Sequence, residues 1–262
     1  MNAVTTVVHP IFVFRSSRIT TEEVIMVKTN VLYQHGTLAL LVPGLLKGTL
    51  TSGGLLEHGD TGIGTGEGLD GELIILNGVV YQVRGNGEVR VMPKQDTIPF
   101  GNIHWADYQS LGNVADLELD QLGKHILKGH SANTFFSVEV KGTFKNVTTR
   151  AVIKSNPPYK TLAQTADDQR VFQADIIEGT LLGYFMPTLY AGAAVGGFHW
   201  HFLSDDHTFG GHVLAVGGAT GALGFQQFDS LDLHLPTNDA DFMNHDFSQD
   251  DILSVIEKAE QF

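Results

Sequence analysis

The stretch Gly196–Val216, GGFHWHFLSDDHTFGGHVLAV, decides the fold because it predicts a β-hairpin that carries several histidines. Two runs typical of β-strands flank the segment Ser204–His207, which is rich in residues that form turns. Side chains alternate between the two faces of a strand, so His199 and His201 point to one face and Trp200 points to the other. The first strand therefore presents two imidazoles on the same face.

A third histidine, His212, lies near the start of the returning strand. A turn centred near Asp206 places positions 201 and 212 opposite each other, because their midpoint falls at the turn. Gly210 and Gly211 allow a close approach of the backbone at this point. We therefore expect the three imidazoles to converge.

Three protein nitrogens with further positions left open for water or substrate are the ligand set of a catalytic zinc ion. We therefore expect His199, His201 and His212 to bind zinc. The alternative is that they are polar residues on a solvated face of the hairpin. His207 is the rival third ligand, although its position at the tip of the loop favours contact with solvent.

The composition narrows the possible chemistry. The 262-residue chain has no cysteine, which excludes disulfides, thiolate metal ligands and a cysteine nucleophile. A metal ion must then be bound by histidines and carboxylates, which favours zinc over an iron–sulfur cluster. The formal net charge is -13 and no basic stripe is present, which excludes the nucleic-acid-binding class of protein.

The beginning of the sequence shows no sign of a targeting segment. No charged region precedes its first apolar stretch, which is short and interrupted by His9 and Pro10, so no signal peptide is predicted. No apolar run approaches the roughly 18 residues that span a bilayer. We expect a soluble, cytoplasmic protein.

The remaining patterns predict an α+β fold of two mostly antiparallel or mixed β-sheets, with few peripheral helices and the zinc site on a β-hairpin. Glu72–Val83, ELIILNGVVYQV, reads as another hairpin, because Asn77-Gly78 between β-formers is a strong turn signal. Further strands are predicted at Thr134–Val140, Thr149–Ile153, Gly179–Tyr184 and Ser230–Leu235.

Two helices and three regions complete the predicted organisation. Ala115–Leu127 has a helical pattern, and Ser248–Glu260 has a clearer one, with Ser248 as its N-cap and an apolar stripe along one side. The regions are a variable N-terminal arm over 1–30, a β-rich subdomain over 31–155, and a second β subdomain over 156–262 with the zinc site and the C-terminal helix.

A glycine-rich loop, GIGTGEGLDGE over 62–72, formally fits the dinucleotide-binding pattern G-x-G-x-x-G. That pattern requires a helix after the loop, whereas a strand is predicted here, so we reject a dinucleotide site. We expect the glycines instead to shape a tight loop that delivers Thr65 and Glu72 to a ligand. Glu72 opens a very apolar strand, where a carboxylate is costly unless it is paired or bound to a metal.

From Val31 to Glu260 the sequence resembles the bacterial alpha-acetolactate decarboxylases. The GT…LDGE motif and the HxH…GGH motif are specific in combination, although neither is specific alone. The matching stretches are Tyr33–His35, HGDTGIGTGEGLDGELIILNGVVYQV (58–83), Thr97–Phe100, Phe144–Tyr159, GFHWHFLSDDHTFGGHVL (197–214) and the acidic C-terminal helix.

The resemblance implies a zinc ion with three histidine ligands, together with a threonine, an arginine and two glutamates in the active site. These fall on His199, His201 and His212 as ligands, and on Thr65, Arg150, Glu72 and Glu260. Glu257 competes with Glu260 for the second glutamate. The resemblance also implies a homodimer.

The reaction that the resemblance implies converts 2-acetolactate to (R)-acetoin and CO2, in the acetoin and butanediol branch of fermentation. Arg150 would hold the substrate carboxylate or the developing oxyanion. Glu72 or Glu260 would protonate the metal-stabilised enediolate. Two alternatives stay open, a zinc hydrolase and a non-catalytic metal-binding β module.

Overall fold

The fold is known from a computed structural model that describes residues 28–260, apart from the side chain of Glu260. Most of the predicted N-terminal arm therefore lies outside the described residues. The strands are β1 Val31–His35, β2 Leu50–Thr51, β3 Thr61–Thr65, β4 Glu72–Leu76, β5 Val79–Val83, β6 Val89–Val91, β7 Thr97–Ile98, β8 Phe100–His104, β9 Gln109–Leu117, β10 Phe135–Val152, β11 Gln169–Met186, β12 Gly197–Ser204, β13 Gly210–Ala215, β14 Gly218–Phe228 and β15 Ser230–His234. The α-helices are α1 Leu38–Leu41, α2 Ser52–Leu55, α3 Leu119–Leu127, α4 Leu162–Ala166, α5 Ala240–Asn244 and α6 Ile252–Glu260.

Two large sheets contain most of the strands. The seven-stranded sheet has the order β15-β1-β8-β3-β4-β5-β6, and the six-stranded sheet has the order β11-β12-β13-β10-β14-β9. β1 and β15 pair in parallel, and the other strand pairs among the described residues are antiparallel. This confirms the predicted α+β class. The six-stranded sheet takes strands from both sides of residue 155, and the division of the chain at that residue stays a prediction.

Both predicted hairpins are present. In the β4–β5 turn, Asn77 and Gly78 have φ values of 52° and 74°, as a tight two-residue turn between antiparallel strands requires. In the β12–β13 hairpin, His201 lies opposite His212 in the predicted register. Gly211 has a φ of 129°, and a Cβ atom there would lie 2.5 Å from the carbonyl oxygen of Arg150. The glycine therefore lets β13 lie closely against β10.

The helix predictions need two corrections. The predicted helix over Ala115–Leu127 begins only at Leu119, because the residues before it belong to β9 and pair with β14. Glu118 and Gln121 form a capping box at its start. The C-terminal helix begins at Ile252, not after Ser248, so the predicted N-cap is wrong. Ser248 lies in a short 3-10 turn, in which Asp246 caps its amide.

The two large sheets pack face to face, and helices cover parts of their outer surfaces and one end of their interface. Buried side chains from both sheets form the layer between them, including Ile63, Ile74, Ala151, Leu182 and Leu203. Helix α3 packs on the other face of the six-stranded sheet. Helices α1, α4 and α6 share a further apolar cluster with the ends of β8 and β10. None of the helices within residues 28–260 has both the length and the apolar character needed to cross a bilayer.

Substitution of two glycines tests the two hairpins. Nothing lies within 4 Å of a Cβ atom added at Gly78, so Gly78→Ala should lower the free energy of unfolding only by the cost of a left-handed backbone, about 1 kcal/mol. Gly211→Ala adds a clash with the backbone of β10 and should cost at least about 2 kcal/mol more. Urea denaturation of both variants measures the difference, and equal costs would contradict the close approach of β13 to β10.

Candidate metal centre

The three predicted histidines lie together where β12 and β13 face β4. One ring nitrogen from each lies within 4.8 Å of the other two. The Nε2 atom of His199 is 3.0 Å from Nδ1 of His212 and 3.2 Å from Nε2 of His201. The predicted convergence of the three imidazoles is therefore confirmed.

A backbone carbonyl fixes the orientation of one imidazole. The Nδ1 atom of His201 is 3.0 Å from the carbonyl oxygen of Leu73 on β4. A carbonyl only accepts hydrogen bonds, so Nδ1 carries the proton, and Nε2 of the neutral ring presents its lone pair to the other histidines. A partner of this kind orients many metal-binding histidines. Sequence reasoning missed it, because a backbone carbonyl has no residue signature.

The surroundings keep the three imidazoles neutral. Burial lowers the pKa of His199 to about 3, and the positive charge of Arg150 adds to this effect. Burial also holds the pKa of His201 and of His212 well below the usual value, with smaller contributions from Arg150 and the neighbouring histidines. A neutral imidazole has a free lone pair, so all three rings are ready to bind a cation near neutral pH.

Two distances between ring nitrogens of the cluster are compatible with a shared metal ion such as zinc. Zinc binds histidine nitrogen at about 2.0–2.1 Å with tetrahedral geometry, which separates two ligand nitrogens by roughly 3.3 Å. The distances of 3.0 Å and 3.2 Å here are close to that separation. His207 stands apart from this group, since its exposed ring packs against Tyr81 with the ring centres 4.4 Å apart.

The glycine-rich loop places Thr65 and Glu72 side by side. They are the last residue of β3 and the first of β4, and they are direct partners in the ladder between these antiparallel strands. Thr65 donates a hydrogen bond from Oγ1 to the carbonyl oxygen of Gly71, at 2.8 Å. Glu72 is buried, and its Oε2 lies 3.6 Å from Nε2 of His201. The loop thus brings a carboxylate and a hydroxyl to the edge of the histidine cluster.

Arg150 lies on β10 directly opposite His212. Its side chain is buried, with Nη1 3.9 Å from Oε1 of Glu72. Its Nη2 donates a hydrogen bond of 3.1 Å to the carbonyl oxygen of Ala259, in the last turn of α6. Terminal carbonyls of a helix attract cations, so α6 and Glu72 together stabilise the buried guanidinium.

Of the two candidate glutamates on the C-terminal helix, the structure describes the side chain of only one. Glu257 lines a cleft of about 790 Å³ that His212 and Trp200 also line. The side chain of Glu260 lies outside the described residues. The predicted apolar stripe of α6 is present, because Ile256 and Ala259 are buried.

The histidines open into a second, smaller cavity of about 50 Å³. Its polar lining comprises Thr65, Glu72, Arg150, Thr165 and the three histidines. Its apolar lining includes side chains from α1, α4 and α6. Sequence reasoning missed α1 and α4 as part of the site, because their leucines have the pattern of ordinary core residues, whereas α6 was expected there for its glutamates.

The sequence is similar to known proteins along most of its length. The family model for alpha-acetolactate decarboxylase matches residues 32–249. The alpha-acetolactate decarboxylase of Streptococcus thermophilus is 38% identical over 236 residues, which cover 87% of this chain and 98% of that protein. The corresponding protein of Lactococcus lactis subsp. cremoris is 33% identical, over 87% of this chain and 98% of its own.

Solved structures show the same fold. The crystal structure of alpha-acetolactate decarboxylase from Bacillus subtilis strain 168 has a TM-score of 0.81 and 30% sequence identity, covering 88% of this chain and all of that chain. A Staphylococcus aureus protein described as similar to alpha-acetolactate decarboxylase has a TM-score of 0.85 at 35% identity, with 88% of this chain covered. The resemblance inferred from the sequence motifs is confirmed, and the chain belongs to the alpha-acetolactate decarboxylase family.

Proposed function

We propose that this protein is a zinc-dependent enzyme that decarboxylates 2-acetolactate to (R)-acetoin and CO2. The observation that carries the proposal is the convergence of three neutral imidazoles beside a buried arginine and a buried glutamate. Membership of the alpha-acetolactate decarboxylase family selects decarboxylation among the reactions that such a site supports.

His199, His201 and His212 would hold the zinc ion. When bound, zinc supplies a Lewis acid that polarises the ketone oxygen next to the bond that breaks. The Leu73 carbonyl keeps the proton of His201 on Nδ1, so the Nε2 atom of this ring is already deprotonated for metal binding. The low dielectric of the buried cluster strengthens each of these contacts.

Arg150 would position the substrate carboxylate. Its guanidinium can form two parallel, charge-assisted hydrogen bonds to a carboxylate or to a developing oxyanion. Loss of CO2 breaks the bond between C2 and the carboxylate, and the electron pair moves into the neighbouring ketone to give an enediolate. Arg150 lies opposite His212, so it can hold the carboxylate next to the histidine cluster during this step.

A glutamate would complete the reaction by giving a proton to C2. Glu72 is one candidate, since it borders the histidines in the small cavity. The second candidate is on α6, where the resemblance predicts Glu260 and the cleft beside His212 favours Glu257. Delivery from one side of the planar enediolate would give acetoin as a single enantiomer. We also propose that the protein is cytoplasmic and forms a homodimer.

Two histidine substitutions on the same hairpin test the metal site. His212→Ala should remove both bound zinc and CO2 release, because it takes away one of three ligands. His207→Ala is the matched control, and it should keep zinc and activity. Metal analysis and a CO2 assay with 2-acetolactate measure both effects. Full activity in a zinc-free His212→Ala protein would contradict the proposed role of the metal.

Substitution of Arg150 separates metal binding from turnover. Arg150→Ala should keep zinc but lower kcat/KM roughly 10²-fold or more, because a donor to the transition state is lost. Arg150→Lys keeps the charge without the planar fork and should recover part of the activity. Arg170→Ala, at an exposed position on β11, should leave kcat/KM unchanged. If the Arg150 variants retain full turnover, the guanidinium has only a structural role.

The proton donor is tested by the product as well as by the rate. Because Glu257 lines the cleft beside His212, we expect Glu257→Gln to lower kcat roughly 10²-fold and to reduce the enantiomeric excess of the acetoin. Glu260→Gln, three residues further along α6, is the matched variant, measured by the same kinetics and chiral chromatography. Loss of rate in Glu260→Gln alone would return the role to Glu260.

A further inference from the structure

The loop between β3 and β4, residues 66–71, joins two residues of the site and has an unfavourable backbone conformation. Thr65 and Glu72 flank the loop and pair with each other in the ladder. Within the loop, Leu69 has a φ of 56°, in the left-handed region that is unfavourable for a residue with a side chain. Such a conformation persists only where surrounding contacts hold it. The β3–β4 loop therefore depends on contacts with other parts of the chain.

Backbone hydrogen bonds attach the middle of this loop to its neighbours. The amide of Gly68 donates to the carbonyl of Leu46 at 2.8 Å, and the carbonyl of Gly68 accepts from the amide of Ser155 at 2.7 Å. In the half of the loop next to β4, the carbonyl of Asp70 accepts a hydrogen bond from the side-chain amide of Gln82. The half that follows β3 is attached through a side chain, that of Glu67.

The carboxylate of Glu67 is the point at which the loop meets three other segments of the chain. Tyr159 donates from its hydroxyl to Oε1 at 2.9 Å, and Thr97 donates from Oγ1 to Oε2. The backbone amide of Gly48 donates a further hydrogen bond to the carboxylate. Gly48 precedes β2, Thr97 begins β7 and Tyr159 follows β10. One side chain thus joins the loop to segments that lie far apart in the sequence.

Near neutral pH, Glu67 is ionised and Tyr159 is protonated. Burial acts to raise the pKa of Glu67, but hydrogen bonds from Thr97 and Tyr159 lower it below the usual value. The positive charge of Lys154 adds to this lowering. Burial and the neighbouring carboxylate raise the pKa of Tyr159 to about 12. Hydrogen bonds to an ionised acceptor are stronger than those between neutral groups, so these contacts attach the loop firmly.

Glu67 is not among the described residues that line the small cavity at the histidines. It lines two other clefts, of about 550 Å³ and about 280 Å³. Thr65, Leu69 and Glu72, by contrast, line the small cavity. Glu67 can therefore influence a molecule bound at the histidines only through the loop that carries it.

We propose that Glu67 is a positioning residue, whose carboxylate fixes the β3–β4 loop so that Thr65 and Glu72 keep their places beside the histidines. The inference rests on the proposed function, in which Glu72 is a candidate proton donor. Oε2 of Glu72 lies 3.6 Å from Nε2 of His201. A displacement of about 1 Å at a reacting group can lower a rate roughly 10²-fold. Loss of the Glu67 contacts should therefore slow the reaction without removing any group that touches the substrate.

Substitutions at both ends of this attachment test the inference in zinc-loaded protein. Glu67→Ala should lower kcat and kcat/KM by the same factor, roughly 10- to 100-fold, because alignment is lost while Arg150 and the metal ligands remain. Glu67→Gln keeps one acceptor oxygen and should recover part of the rate. Tyr159→Phe should lower kcat by a smaller factor, and it should have little further effect when added to Glu67→Ala.

Asp239→Asn is the matched control. Asp239 is a buried carboxylate that lines the same cleft as Glu67, accepts hydrogen bonds at the start of α5 and pairs with Lys47. Its substitution should lower the free energy of unfolding but leave kcat per zinc-loaded molecule unchanged, because Asp239 lies outside the loop. A purely structural role for Glu67 would give the Glu67 variants the same result as this control.

Amide hydrogen exchange measures the attachment of the loop without substrate. In Glu67→Gln, the amides of Gly68 and Asp70 should exchange at least about tenfold faster than in the unchanged protein. Unchanged exchange, or an unchanged kcat per folded, zinc-loaded molecule in the Glu67 variants, overturns the inference alone. Should Glu67→Ala fail to fold, Glu67→Gln and Tyr159→Phe decide between these outcomes. If the unchanged protein releases no CO2 from 2-acetolactate, the proposed function fails and the inference fails with it.

Discussion

The register of β12 against β13 is the constraint on which the site depends. Pairing of His201 with His212 sets two imidazoles side by side, and the alternation of β12 adds His199 on the same face. A slip by one residue would turn the side chains of a strand to the opposite face. Trp200 would then occupy the place of the histidines. Gly211 supports this register because it lets β13 lie closely against β10, which carries Arg150.

The seven-stranded sheet supplies two further polar groups to the site through β4. β4 contributes the carbonyl of Leu73, which orients His201, and the carboxylate of Glu72 at its first residue. Face-to-face packing of two sheets therefore brings charged groups into a layer that is largely apolar. Buried charges are costly unless they are paired. Here the contacts of Arg150 with Glu72 and with the last turn of α6 offset the cost of burying these charges. A cation bound by the histidines would offset more of the cost of burying Glu72.

The sequence predicted the local part of this arrangement well. The Asn77-Gly78 turn, the β12–β13 hairpin and the convergence of its histidines all follow from patterns with short sequence separation, and the structure contains them. The α+β class and the family were also recognisable. The helix over Ala115–Leu127 was predicted too early, because pairing of β9 with β14, about a hundred residues away, outweighs local propensity. Ser248 is not the N-cap, because it lies within a 3-10 turn that precedes the helix.

Long-range partners could not be predicted from the sequence. Nothing in the sequence indicates that a carbonyl at residue 73 orients His201, that Ala259 accepts a hydrogen bond from Arg150, or that α1 forms one side of the cavity. If the three histidines hold one zinc ion with a position left open, X-ray absorption spectroscopy at the zinc edge tests this most directly. We expect one zinc per chain with three nitrogens at about 2.0–2.1 Å and additional oxygen. A zinc site without three nitrogen ligands, or a protein that binds no zinc, would contradict it.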